Sequence, residues 1–307
     1  MEKWHLALFG VSVTLFVVLG LIQLTGANPF LLYPEGYNYY GANIYYSGAY
    51  WSTLGNVNFC AAFLSLVAGA CTAALILRTD KREWFLFIPL CLCVFSIFVL
   101  HSDSGMVALL LGLLFLPSFC VRSSTHLANV CQVYSALSLT VCAAQVIHFQ
   151  DGGVSLKFPK TAILLILISA VLTICWLIIQ KNDLFSGLSP KVLRWSLLLA
   201  ALILLLAAFA FLYFYTGFSA NSTLFQIHEL LHGQWDDSFG SGRLYIWRQA
   251  LALVREAPLF GGGPDTLAQR GLEGFSRYNE VLQMTVSSEI DAAHNEYLNI
   301  LVNTRLR

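Results

Sequence analysis

Long apolar runs constrain this chain more than any other feature of its sequence. A helix needs about 20 apolar residues to cross a hydrocarbon core of about 30 Å. Such runs recur through the first two thirds of the 307 residues, and we count seven of them. They cover approximately residues 5–24, 58–77, 84–100, 105–121, 129–149, 161–180 and 195–215. The sequence therefore predicts a protein that crosses the membrane several times, with its first helix retained rather than cleaved as a signal peptide.

The composition supports this prediction and excludes other classes of protein. Charged residues make up 11% of the chain and hydrophobic residues 57%, whereas a soluble domain has about 25% charged residues. Seventeen basic residues balance seventeen acidic ones, so no overall field attracts nucleic acid. The eight cysteines lie within apolar runs without metal-ligand spacing. They are expected to be small buried side chains, not a disulfide framework or a metal site.

The distribution of basic residues predicts the orientation in the membrane. With a cytoplasmic N-terminus, eight Lys and Arg residues flank the inner helix ends and two lie in the outer short loops. The inner ones are Lys3, Arg78, Lys81, Arg82, Arg122, Lys181, Lys191 and Arg194, and the outer ones are Lys157 and Lys160. The positive-inside rule therefore favours this orientation, which places residues 216–293 outside.

That outer segment is the most extended polar region and the expected location of chemistry. It contains five Arg and no Lys, and the planar guanidinium binds phosphate or carboxylate through two parallel hydrogen bonds. The alternative is that these arginines cover a solvated face beside the nine acidic residues of the segment. Composition leaves both interpretations open.

An amphipathic helix is predicted in the middle of the segment, with Ser241 as its N-cap and Pro258 as its terminator. Arg243 lies at one edge of the predicted apolar stripe, and Arg248 and Arg255 lie together near the other edge. The helix either contributes to a site or rests on the bilayer surface. The apolar positions at helical spacing are Leu244, Trp247, Leu251 and Val254.

Two further features follow this helix. The glycines at 261–263 permit either a tight turn or a loop that cradles phosphate. Asp291 is placed to cap a helix that begins at Ala292, which would put His294 in the first turn. There the helix dipole favours a neutral imidazole, as a general base requires, although an interfacial histidine without chemistry is the alternative.

Two polar clusters occur earlier, at predicted outer helix ends. Asn56 and Asn58 either bind sugar hydroxyls or cap the second helix. Asp103 and Ser104 lie in a short turn between two apolar helices, where they either bind substrate or form a turn with an N-cap.

Three motifs, taken in order, resemble those of the O-antigen ligase and polymerase superfamily of polytopic bacterial glycosyltransferases. "STLGNVNFCAAFL" resembles the family's Gly-Asn-x-Asn helix start. "GSGRLYIWRQALALVREAPLFGGGPD" resembles its Arg-x-x-x-Trp…Pro-x-x-Gly-x-Gly element. "DAAHNEYLNILVNT" resembles its His-Asn-x-x-Leu segment, where the chain returns to the membrane. The resemblance covers roughly residues 50–304.

The resemblance implies an all-α polytopic membrane protein with a GT-C-like fold. Seven complete membrane helices would occupy residues 1–215, a partly helical extracytoplasmic catalytic loop 216–293, and the start of an eighth helix 294–307. The implied donor is a polyprenyl-diphosphate-linked glycan, the acceptor a glycan, lipid or protein, and no metal or other cofactor is expected. The implied reaction is transfer to an acceptor hydroxyl at the outer face of the bacterial cytoplasmic membrane.

By the same resemblance, Arg243 corresponds to the arginine that holds the diphosphate, and His294 to the histidine at the acceptor site. Family members continue beyond "NTG", whereas this chain reads "NTRLR", which predicts a truncated copy. A transporter or flippase, or a non-functional remnant of such an enzyme, are the alternative interpretations. The expected substrate-binding residues are Arg248, Gly261, Gly263, Asn295, Asn56, Asn58, Asp103 and Ser104.

Overall fold

The computed structural model describes residues 3–32, 50–150, 153–182, 184–219, 222–240, 242–257, 261–263, 267, 270, 275–279, 284–288 and 292–304. The chain divides into two compact units, Met1–Leu205 and Leu206–Arg307. Each unit is described separately below. Ser241, Pro258 and Asp291, expected at helix ends, lie outside the described residues.

Apolar helices dominate the first unit. They are α1 (Lys3–Gln23), α2 (Val57–Leu77), α3 (Phe87–Val99), α4 (Asp103–Cys120), α5 (Ser124–Val146), α6 (Lys160–Asn182) and α7 (Pro190–Phe214), the last of which continues into the second unit. All seven predicted runs are thus largely helical, and the protein is an all-α polytopic membrane protein. The eight cysteines lie within α2 to α6 as free thiols.

Six of these helices are long and apolar enough to cross a membrane, rather than the seven predicted. The exception is α3, which has 13 residues and follows a 3-10 helix at Lys81–Leu86. Pro89 lies in the first turn of α3 and has no backbone N–H, so it cannot continue a regular α-helix from the preceding residues. Because a 3-10 helix rises faster per residue, the combined segment still spans about 30 Å.

The fifth run also differs from its prediction. Helix α5 begins at Ser124, where the Ser123 side chain accepts from the His126 N–H, and it ends at Val146. Strand β3 (Ile147–Gln150) follows and pairs antiparallel with β4 (Gly153–Leu156). The β-branched and aromatic residues at the end of the run favour a strand once the chain leaves the helix.

A buried tryptophan anchors a short hairpin to α1. Strand β1 (Tyr50–Trp51) pairs with β2 (Gly55–Asn56), and the Trp51 side chain is fully buried. A Cβ atom on Gly20 would lie 2.1 Å from the indole ring, so only glycine fits at this position of α1. Ser52 fixes the hairpin further, because its N–H donates to Gln23 Oε1 over 2.6 Å and its hydroxyl to the Phe16 carbonyl over 2.6 Å.

Helices α2 and α4 approach each other closely at a glycine. A Cβ atom on Gly105 would lie 2.6 Å from the Ala61 Cβ, and the Ser65 hydroxyl donates to the Gly105 carbonyl over 3.2 Å. Small residues at the crossing are the usual means of bringing membrane helices together.

The second unit contains short helices and a hairpin. The helices are α8 (Thr223–Leu231), α9 (Arg243–Glu256) and α10 (Glu296–Asn303). The antiparallel strands β5 (Phe275–Asn279) and β6 (Met284–Ser288) lie between α9 and α10 in the chain. The hairpin was not expected from the sequence. Apolar side chains of α9 and α10 share one small core, formed by Ile246, Ala250, Leu253, Leu267, Ala293 and Val302.

Candidate active site

Helix α9 begins one residue after a left-handed glycine. Gly242 is the N-cap with φ 82°, and no side chain of the described residues caps this helix. Arg243 is therefore the first helical residue, beside amides that have no partner within the helix. The helix predicted from the sequence is confirmed, and its first residue, Arg243, donates its own amide to the Gly240 carbonyl over 3.4 Å.

The buried face of α9 differs from the predicted one. Ile246, Ala250 and Leu253 are its buried residues, whereas Leu251, predicted to face the core, is 46% exposed. At 100° per residue the three buried positions centre on a direction about 50° from Arg243 and about 90° from Trp247. Arg243 therefore lies at one edge of the buried stripe, in the first turn of the helix.

The three arginines of α9 lie in different surroundings. Arg248 is exposed and forms an ion pair with Asp237 at 2.5 Å, with its guanidinium 5.8 Å from the centre of the Tyr245 ring. Arg255 is also exposed, in the last turn. The Arg243 side chain is half-buried and forms no hydrogen bond or ion pair with the residues that the structure describes.

His294 lies immediately before α10 rather than in its first turn. The helix begins at Glu296 with Asn295 as N-cap, whose side chain accepts from the Leu298 N–H over 3.3 Å. His294 itself is exposed and adopts φ 46°, a left-handed conformation that costs about 1–3 kcal/mol for most side chains. The expected helix start was wrong because Asn295, four residues beyond Asp291, provides the cap.

Two hydrogen bonds to Ala293, the residue before His294, fix this turn. The Ala293 N–H donates to Asn299 Oδ1 over 2.7 Å, and the Ala293 carbonyl accepts from the Trp247 indole N–H over 3.0 Å. Ala293 is fully buried. The surrounding structure thus holds His294 in a conformation that it would not favour alone.

The Trp247–Ala293 bond connects the two predicted catalytic residues. Arg243 and Trp247 are four residues apart on α9 and share a face of the helix. Trp247 in turn contacts the residue adjacent to His294. The structure thereby brings the N-terminus of α9 and the His294 turn onto neighbouring parts of one packed pair of helices.

The three glycines that follow α9 form a backbone contact with α10. The amides of Gly262 and Gly263 donate to the carbonyls of Val302 and Asn303 over 2.8 and 3.1 Å, and the Gly261 amide donates to Ala257 over 3.1 Å. Gly261 has φ 66°, and a Cβ atom there would lie 2.8 Å from the Asn303 carbonyl carbon. These amide donors are therefore engaged within the chain, in a tight turn that joins the end of α9 to the end of α10.

In the first unit, the structure joins two of the other predicted residues. Asn58 Oδ1 accepts from the Ser102 hydroxyl over 3.1 Å, and Ser102 Oγ lies 3.4 Å from Ser104 Oγ. Ser102 is the N-cap of α4, and Asn56 caps α2 through the N–H groups of Asn58 and Phe59. Asp103 is exposed beside this cluster. The capping interpretation of Asn56 is thus confirmed.

Sequence reasoning missed Trp247 and Asn299 as determinants of the site. A signal for Asn299 was present, because it lies four residues after Asn295 on an otherwise largely apolar helix. The apolar pattern of the helix predicts Trp247 only as a core position, although a partly buried indole N–H normally finds an acceptor.

A family model described as O-antigen ligase matches residues 152–304. Residues 152–304 belong to the O-antigen ligase family. A search of curated proteins and a search of solved structures found no match. The matched region covers about half of the chain and includes both Arg243 and His294. The chain is thus a multi-pass membrane protein that carries an O-antigen ligase domain, and this family acts in surface polysaccharide assembly.

Proposed function

We propose that this O-antigen ligase family protein transfers a polyprenyl-diphosphate-linked glycan to an acceptor hydroxyl at the outer face of the cytoplasmic membrane. In this reaction the acceptor oxygen bonds to the anomeric carbon, and the bond from that carbon to the diphosphate oxygen breaks. The proton of the hydroxyl passes to a base, and the lipid diphosphate leaves with the bonding electron pair. The protein must therefore stabilise negative charge at one point and hold the acceptor at another.

The first role is assigned to Arg243 and the N-terminus of α9. Negative charge grows on the leaving diphosphate, for which a preorganised guanidinium is a suitable partner. The N-terminus of a helix adds backbone donors and the positive end of the helix dipole. Arg243 lies at that point, and no ion pair with a described residue competes for it.

The second role is assigned to His294, as base or as orienting donor for the acceptor hydroxyl. Its ring is exposed, and its turn is held by Trp247 and Asn299. Strained backbone that the surrounding structure holds in place is typical of functional positions.

The observation that carries the proposal is the hydrogen bond from Trp247 to Ala293, because it couples the helix of Arg243 to the turn of His294. Substrate contacts of Arg248, Gly261, Gly263 and Asn295, and of Asn56, Asn58, Asp103 and Ser104, stay predictions. In the second unit, Arg248 pairs with Asp237, the amides of Gly261 and Gly263 donate to backbone carbonyls, and Asn295 caps α10.

A complementation experiment tests the proposal with a matched pair of arginine variants. In a source strain deleted for the gene, Arg243→Lys should restore little surface polysaccharide and leave the lipid-linked glycan to accumulate, since an ammonium cannot reproduce the two-pronged contact. Arg255→Lys, on the exposed side of the same helix, should restore normal polysaccharide. Equal restoration by both variants, at equal membrane levels, would contradict the assignment.

A further inference from the structure

The first unit contains a cavity that the proposed reaction does not use. Its volume is about 600 Å³. It lies where α2, α4 and α6 end and where α5 begins, so it occupies one end of the helix bundle. Six of its lining residues carry the argument: Arg78, Asp80, Trp84, Ser123, Asn129 and Trp176.

The central residue of this cavity is a buried arginine. Arg78 is 8% exposed, and its guanidinium lies 5.1 Å from the centre of the Trp84 ring. One nitrogen, Nη2, donates to Asn129 Oδ1 over 3.3 Å and to Gln132 Oε1. The other, Nη1, is buried without a hydrogen-bond partner in the described part of the chain.

Arg78 forms no ion pair with a carboxylate of the described residues. Both acceptors of Nη2 are neutral amides. Burial lowers the pKa of Arg78, and the Glu83 carboxylate only partly offsets this effect. Asp80 also lines the cavity but forms no ion pair with Arg78. A buried cation that lacks a paired anion is costly, so the cavity favours an anionic ligand.

Other groups around the cavity are suited to phosphate oxygens. The indole N–H of Trp176 is buried without a partner among the described residues. Ser123 caps α5 as an acceptor, which leaves its own hydroxyl hydrogen to donate. The N-terminus of α5, 23 residues long, adds the positive end of a helix dipole.

The surroundings favour a lipid over a soluble anion. Two tryptophans line the cavity at the end of the membrane spans, where aromatic rings commonly meet headgroups. Next to Trp176, Leu177 is 52% and Ile178 44% exposed on a helix that meets the bilayer. A headgroup can therefore enter while its acyl chains remain along α6.

We propose that this cavity binds the phosphodiester headgroup of a membrane phospholipid, with Arg78 as the principal anion-binding residue. The predicted orientation places it on the cytoplasmic side of the membrane, the side opposite to glycan transfer. The site is independent of the proposed catalytic function and requires no activity to detect.

Native mass spectrometry of the full chain tests the proposal. The protein is released from detergent in the presence of phosphatidylglycerol, and the retained lipids are counted. The unaltered chain should retain one phosphatidylglycerol, and Arg78→Gln should weaken retention about tenfold or more, as expected for losing a charge-assisted hydrogen bond. Arg194→Gln is the control, because Arg194 lies near the same end of the bundle and donates to the Val121 carbonyl instead.

Two further arms keep the test decisive if Arg78→Gln does not fold. Trp176→Phe removes the indole N–H and keeps one aromatic ring, and it should weaken retention by a smaller factor than Arg78→Gln. Orthophosphate added to the unaltered chain should displace the lipid only at large excess. No retained lipid on the unaltered chain, equal retention by the Arg78 and Arg194 variants, or displacement by equimolar orthophosphate would overturn the proposal.

Discussion

Three arginines of one helix show how position decides the role of a residue. Arg248 pairs with Asp237, and Arg255 extends from the exposed last turn. Arg243 is the first residue of α9, at one edge of the face that packs against α10, and it forms no ion pair with a described residue. The sequence predicts roles for Arg243 and Arg248 and none for Arg255, and the environments of the three residues distinguish them.

Trp247 is expected to act as a positioning residue. Trp247→Phe removes the hydrogen bond to Ala293 and preserves most of the packing, so the His294 turn should lose its fixed position. We expect glycan transfer in membrane vesicles to fall about tenfold, since small displacements of reacting groups are costly. The loss should appear in use of the acceptor, while the affinity for the donor stays unchanged.

The control is Trp235→Phe, because Trp235 is 74% exposed. A merely structural role for Trp247 would lower the amount of folded protein without changing the ratio of acceptor to donor affinity.

A second residue-scale prediction concerns the contact between the glycine turn and α10. Gly261→Ala places a Cβ atom 2.8 Å from the backbone of Asn303 and Thr304, in addition to the strain of a positive φ. Gly233→Ala has a similar φ of 74° with no atom within 4 Å, so it isolates the conformational term, about 1–2 kcal/mol.

Thermal unfolding should therefore show a larger loss of stability for Gly261→Ala than for Gly233→Ala. Equal losses would mean that the close approach between the turn and α10 does not stabilise the second unit.

At the scale of elements, the sequence predicted where helices occur better than which face they bury. Counting Leu244 and Leu251 as core residues gave the wrong stripe for α9, because the partner surface on α10 accommodates Ile246 and the small Ala250 instead. A face is chosen by what packs against it, and that information lies some 50 residues away in the sequence. The predicted start of α10 was wrong for a similar reason, since Asp291 and Asn295 are both residues that cap helices well and the sequence alone does not choose between them.

The crossing of α2 and α4 predicts opposite changes in stability for two glycine substitutions on α4. Gly105→Ala should destabilise the first unit by about 1–3 kcal/mol, as overpacking does, because the new Cβ atom would lie 2.6 Å from the Ala61 Cβ. Gly112→Ala, on the same helix with no atom within 4 Å, should be neutral or slightly stabilising. Denaturation in detergent monitored by circular dichroism compares them, and a stable Gly105→Ala would show that the helices do not meet at this residue.

For the whole molecule, the apolar runs of the sequence predict the membrane fold. The length of a membrane helix is set by the thickness of the bilayer and does not depend on tertiary contacts. Orientation rests on the basic residues alone. We therefore predict that residues 216–293 face outward from the cytoplasmic membrane. The candidate site within them was found through motif resemblance, whereas its geometry depends on the contacts of Trp247 and Asn299.

Cysteine labelling tests this orientation. In a version without the native cysteines, Ser238→Cys should react with a membrane-impermeant thiol reagent in intact spheroplasts. Ser186→Cys, exposed between α6 and α7, should react only in inverted vesicles. The reverse pattern would invert the topology and place the candidate site inside the cell.

The most direct measurement of the central claim is single-turnover glycan transfer in vesicles, with donor and acceptor concentrations varied separately. Arg243→Lys should raise the donor concentration needed for half-maximal transfer, or slow the departure of the diphosphate. His294→Asn, chosen because asparagine tolerates a left-handed backbone, should lower the rate by about 10²–10⁴ with donor binding retained. Near-normal transfer by the double variant at equal membrane levels would contradict the claim that these two residues carry the chemistry.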